Sequence, residues 1–134
     1  QLAAQDAWVR EFWSGRAHFL PAGSTWDFGE VAPHGIFAAA VRRAEPGRVQ
    51  YLGSDLHLSQ GLEVRRWLES ADGVEMPVGV GRQAAGKVVC AVPPGVWAVW
   101  VGAEQAAVQP ERGYVEIPVS GMGPVEIRLR RTES

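Results

Sequence analysis

The clearest periodicity lies near the C-terminal end. From Val125 to Arg131 apolar and charged residues alternate, with Val125, Ile127 and Leu129 on one face and Glu126, Arg128 and Arg130 on the other. A period of two puts one face in a core and the other in water, which marks a half-buried β-strand. Shorter apolar runs recur along the whole chain between Gly, Pro, Ser and Asp turn signals. They predict strands over Trp8–Trp13, Ala17–Leu20, Ile36–Val41, Arg48–Leu52, Val74–Val80, Lys87–Val92, Val96–Val101, Tyr114–Val119 and Val125–Arg131. Trp26–Val31 is mixed. Leu62–Glu69 is the one serious helix candidate. Leu62, Val64 and Leu68 alternate, however, and Gly61 and Ala71-Asp72-Gly73 bound the segment as they would a hairpin strand, so strand is preferred. Gly79–Ala84 reads as a flexible hairpin connection and Ser120–Pro124 as a turn. Pro77 places its strand at an edge or a bulge.

Short strands separated by turn signals predict an all-β chain, an antiparallel, Greek-key-like β-sandwich of roughly eight strands. Residues 1–7 read as a linker or N-terminal extension and residues 8–134 as a single domain. Lys87–Val92 and Val96–Val101 depart from a simple sandwich, because both are apolar on both faces. Trp97, Val99 and Val101 point one way, and Val96, Ala98 and Trp100 the other. A two-layer sandwich buries only one face of each strand. The second face therefore needs cover, from a further element of this chain or from a neighbouring domain or subunit. Trp97 and Trp100 lie on opposite faces, and whichever points outward is the candidate for an interdomain or sugar contact.

Composition narrows the classes. The 134 residues suffice for one domain without disulfide or metal support. A net charge of −2 supplies no strong pull toward nucleic acid or membrane. No apolar run approaches the ~20 residues of a membrane-spanning helix. Cys90 is the only cysteine, so no intrachain disulfide forms. Its setting among Val88, Val89, Ala91 and Val92 suits a buried structural thiol. No charged-then-apolar leader is visible, which favours a cytoplasmic location, and a start at Gln1 suggests a processed or excised fragment.

The constellations that would carry chemistry fail on context. Asp6, Asp27, Asp55 and Asp72 sit in turn-like or terminal settings and form no convergent acid pair. Ser54, Asp55 and His57 fall together but lack the glycines of a nucleophile elbow, so they read as a polar turn. His18, His34 and His57 have no metal-ligand spacing. Gly79-Val80-Gly81-Arg82-Gln83-Ala84 resembles a dinucleotide fingerprint, yet Gly86 and the Val88-Val89 strand follow where a helix is required. No catalytic residue, cofactor or metal is expected. Six tryptophans raise a sugar-binding reading, but tryptophan also dominates cores and interfaces; for Trp8, Trp13 and Trp26 core or interface is preferred.

Four segments together resemble a known domain. Glu11-Phe12-Trp13-Ser14-Gly15 is similar to the D/E-F-W-x-G opening of the C-terminal sandwich of α-galactosidases of the melibiase clan. Val31–Phe37, with Pro33-His34-Gly35, resembles that domain's step into a strand. Tyr51–Gly61 is similar to its G-S-x-x-H-x-x-Q-G run, and Val89–Trp97 to its late strand, P-x-G turn and strand. The four occur in order over residues 8–101. In that family the catalytic aspartates lie on a preceding (β/α)8 barrel, so the resemblance implies no catalytic residue here. It implies a structural role for Pro33, which would fix entry into the strand at Ile36, and hydrogen-bonding roles in turns for His34 and His57. The expectation is a non-catalytic C-terminal accessory domain of a glycoside hydrolase, packing on and stabilising a catalytic barrel as its partner. Two alternatives stay open: an independent carbohydrate-binding module, and a homodimerising interaction domain with no link to sugar.

Overall fold

The computed structural model describes residues 5–11, 15–24, 39–45, 47–54, 64, 66–110 and 112–133; the side chains at 80–85, 121–124 and 133 are not among those described. The alternation at the C-terminal end becomes burial as expected. Ile127 and Leu129 are buried, while Glu126, Arg128 and Arg130 are exposed. Among the described residues nine strands follow in chain order: β1 (Ala7–Glu11), β2 (Ala17–Leu20), β3 (Ala39–Arg43), β4 (Gln50–Ser54), β5 (Leu68–Ser70), β6 (Gly73–Ala91), β7 (Val96–Val101), β8 (Glu104–Val108) and β9 (Tyr114–Glu133). All pairings are antiparallel. One sheet has the order β2-β1-β3. The other runs β4-β6-β9-β7-β8, with β5 also on β6.

The two long strands correct the turn assignments made from sequence. Gly79–Ala84 and Ser120–Pro124 are not hairpin turns. They lie inside β6 (19 residues) and β9 (20 residues), and they lie opposite each other. Gly79 pairs with Pro124, Val80 with Gly123 and Ala84 with Gly121, and the register shifts between Val80 and Ala84. Glycine inside a strand marks a bulge or bend as readily as a turn, so the same composition served a different purpose here.

That irregularity is where the β6–β9 ribbon doubles back. A straight strand as long as β6 would hold its ends roughly 60 Å apart. Instead the ends meet. Arg48 leads into β4, which pairs with the C-terminal end of β6 through Gln50 and Ala91. Glu69 belongs to β5, which pairs with the N-terminal end of β6 through Ser70 and Gly73. Arg48 Nη2 and Glu69 Oε1 are 2.8 Å apart. Arg131, near the end of β9, donates to the Pro94 carbonyl beyond the other end of β6.

The result is an antiparallel β-sandwich. One layer contains β5, the first half of β6, the second half of β9, β7 and β8. The facing layer contains β4, the second half of β6 and the first half of β9. Counting each long strand as two halves turns nine strands into eleven, more than the roughly eight expected. The main core fills the space between, with Val74, Met76, Val78, Ile127, Leu129, Trp97 and Val99 from one layer and Tyr51, Val88, Cys90, Val115 and Ile117 from the other.

The three-stranded sheet packs on the opposite side of the second layer. Trp8 from β1 joins Leu52, Val89 and Ala91 in a second core. This explains why Lys87–Val92 is apolar on both faces: Val88 and Cys90 face the main core, and Val89 and Ala91 face Trp8. The missing cover for that strand is an element of the same chain. Leu62–Glu69 holds no helix among its described residues. Val64 makes an isolated bridge to Val78, and Leu68 begins β5. Pro77 lies past the last β5 pair, Leu68–Glu75, on the outer edge of β6 where a ladder donor is not required. The boundary at residues 7–8 differs by one residue, since Ala7 pairs with both Leu20 and Arg43. Trp13, Trp26, the mixed Trp26–Val31 segment, Val31–Phe37 with its Pro33 and His34, and Asp27, Asp55 and His57 lie outside the described residues.

Candidate functional site

The two residues singled out from sequence do fall on opposite faces of β7. Trp97 is buried in the main core, and its Nε1–H donates to the Pro93 carbonyl at 2.9 Å. That bond spans the Pro93-Pro94-Gly95 turn and ties the start of β7 to the end of β6. Trp100 points to the outer face, half-buried. Its ring is not open. The Arg128 guanidinium carbon, from the adjacent position on β9, sits 4.3 Å from the ring centroid. A guanidinium at that distance makes a cation–π contact and occupies that face of the ring. Ala98 is buried on the same face, where its register neighbour is Arg130. The outer face of β7 is thus an apolar strip over whose Trp100 ring Arg128 lies.

A different aromatic group forms at the joint between the small sheet and the sandwich. Trp8 meets Phe19 edge-on, with centroids 5.4 Å apart, and Tyr114 edge-on at 6.0 Å. Trp8 and Tyr114 are largely covered, whereas Phe19 is 47% exposed. A small cleft of about 200 Å³ opens beside them, lined also by Ala44, Val92, Pro93 and Pro94. The sequence pattern favours core or interface for Trp8 over sugar stacking and does not single out Phe19. The register Trp8–Phe19 puts both on one face, and no sequence pattern shows that this face ends at a cleft.

Arg10 was also missed. It lies two residues after Trp8 and therefore on the same inward face of β1. It is 1% exposed, and its Nη1 donates to the Ser54 carbonyl at 2.8 Å. A charged residue on the core side of an apolar strand is the signal that could have revealed it. The contact joins β1 to the end of β4, every residue of which is buried.

Several of the described carboxylates are engaged in surface ion pairs. Glu69 accepts hydrogen bonds from Arg48 and from Trp67 Nε1, and these hold its carboxyl below the usual range. A carboxylate so stabilised is a poor general acid near neutral pH. Asp72 pairs with Arg130 at 3.3 Å and Glu116 with Lys87 at 2.6 Å, all at the surface. Burial pushes the Cys90 thiol far above its ordinary value, the reverse of what a nucleophilic cysteine needs. No group of three or more His, Cys, Asp or Glu side chains converges among the described residues. Among the described residues no helix is long and apolar enough to cross a membrane. The chain matches no protein-family model, no curated protein and no solved structure.

Proposed function

We propose that the chain is a non-catalytic accessory sandwich that packs against and stabilises the catalytic barrel of an α-galactosidase-like glycoside hydrolase. The observation that carries this reading is the setting of Gln50–Ser54. This strand includes the start of the run that resembles the clan's G-S-x-x-H-x-x-Q-G segment. It is buried along its length and is held by Arg10 at Ser54. A motif that begins inside the packed interior serves architecture, in keeping with a domain whose parent keeps its chemistry elsewhere. The exposed carboxylates held in ion pairs and the inert thiol support the same reading. The barrel would have to meet a face other than Lys87–Val92, because this chain covers both sides of that strand itself.

The carbohydrate-binding alternative receives less support. Trp97 is inside the core and Trp100 lies under Arg128, so neither presents an open ring for stacking on a sugar. Two measurements test the proposal together. Purified chain should turn over no nitrophenyl glycoside. Fused behind a clan barrel in place of that barrel's own terminal sandwich, it should restore soluble, active enzyme. Robust turnover by the chain alone, or a fusion no better than the bare barrel, would overturn the proposal.

A further inference from the structure

An exposed sheet edge invites pairing with another chain unless something blunts it. Most edges here are blunted. β4 is buried throughout, β5 has three residues, β2 runs into Pro21, and β3 carries Arg42 and Arg43 on consecutive positions. β8 is different. It has five residues, a single charge at Glu104, an unbroken register with β7, and no proline before Pro110. The layer that contains it is wider than the one facing it, so β8 overhangs. Glu104, Gln105, Ala106 and Ala107 are all exposed.

The hairpin geometry shows which backbone groups are left over. Val101 and Glu104 close a two-residue loop whose first residue, Gly102, has φ of 61°. Glycine at that position with positive φ suits a type II′ turn, and the closing pair of such a hairpin is hydrogen-bonded. Pairing then alternates. Val99–Ala106 and Trp97–Val108 are hydrogen-bonded pairs, while Trp100–Gln105 and Ala98–Ala107 are not. Gly102 N donates to the Glu126 carbonyl at 2.8 Å, which agrees with even-numbered positions of β7 turning toward β9. Gln105 and Ala107 therefore direct their N–H and C=O groups outward. Among the described residues nothing meets these four groups.

We infer that β8 is a self-pairing edge, and that two copies of this chain associate through it across a two-fold axis. The outward backbone groups of the strand, on Gln105 and Ala107, lie symmetrically about Ala106. With Ala106 facing its own copy, Gln105 exchanges both main-chain hydrogen bonds with Ala107 of the second chain, and Ala107 does so with Gln105. Four bonds form, using all four outward groups. Glu104 comes opposite Val108 of the second copy, so no like charges face each other. Small alanines at the centre let the strands approach without a side-chain clash. A five-residue edge buries less than the about 1,600 Å² of a standard stable interface, so the association is weak and depends on concentration.

Sedimentation velocity over a concentration series tests this. Wild-type chain shifts from monomer to dimer as concentration rises. Ala107→Pro removes one outward N–H at a position that gives no bond to β7, and it stays monomeric with unchanged thermal stability. Ala106→Lys and Ala106→Glu each stay monomeric, because like charges meet at the axis, and an equimolar mixture of the two regains dimer. Wild type that remains monomeric at the highest concentration overturns the inference. So does Ala107→Pro that dimerises like wild type, or a charge-swapped mixture that fails to associate.

Discussion

Replacing Val89 with alanine tests the three-layer arrangement directly. Val89 is fully buried, on the side of β6 that faces Trp8 and Leu52. The substitution removes two methyl groups, worth about 1.6 kcal/mol in transfer free energy. The space left behind raises the expected cost to about 2–3 kcal/mol, because β1 and β4 are held in place by Arg10 and cannot close fully on it. At about 2.1 cal/mol/K of unfolding entropy per residue, a loss of 2.5 kcal/mol lowers the melting temperature by roughly 9 °C. Val88→Ala, on the main-core side, should cost a similar amount. Glu116→Ala is the control, since Glu116 pairs with Val89 across the ladder on the same face yet is exposed beyond the cover of the small sheet. Losing its exposed pair with Lys87 should change stability by no more than about 1 kcal/mol. Urea unfolding followed by circular dichroism, with an unchanged m-value, reads all three. If Val88→Ala were destabilising and Val89→Ala stayed within about 0.5 kcal/mol of wild type, the small sheet would not be packed on this face.

Three further outcomes follow from individual side chains. Cys90 keeps its proton in the fold while the unfolded thiol loses it near its ordinary value of 9.0, so the unfolded state binds fewer protons above that pH. Wild type should therefore lose stability relative to Cys90→Val by up to about 1.4 kcal/mol per pH unit above pH 9, and a constant difference from pH 7 to pH 10.5 would refute the assignment. Gly73 has no room for a side chain, because a Cβ there would lie 1.8 Å from the Leu129 carbonyl oxygen; Gly73→Ala should cost at least about 2 kcal/mol in urea unfolding, and a neutral result would refute the close approach of β6 to β9. Arg128→Ala should uncover the Trp100 ring, raising acrylamide quenching of tryptophan fluorescence with a stability loss of only about 1 kcal/mol; unchanged quenching would mean that the guanidinium does not shield the ring.

How much of this was legible beforehand depended on distance along the chain. The period of two in Val125–Arg131 identified the strand and its buried face, since alternation is a local property of the backbone. The all-β class followed from the same pattern repeated. The double apolarity of Lys87–Val92 was legible as a demand for cover on both sides, but its source was not. β8 went unnoticed because Glu104–Val108 has neither alternation nor bulk, and what makes it a strand is its five-pair ladder with β7.

What the sequence by itself determined was the all-β class, most of the apolar strand segments and the core faces of the clearest ones. Each of these depends on residues within a few positions of one another. Only the tertiary structure decided that the glycines at 79–86 and 121–123 bend a paired ribbon instead of ending two hairpins. Only it placed Trp8 over Val89 and Arg128 over Trp100. The physical reason is that glycine permits a change of direction without specifying one. The direction was set by burial, as the apolar faces of β6 and β9 closed on themselves and the small sheet covered the side that remained.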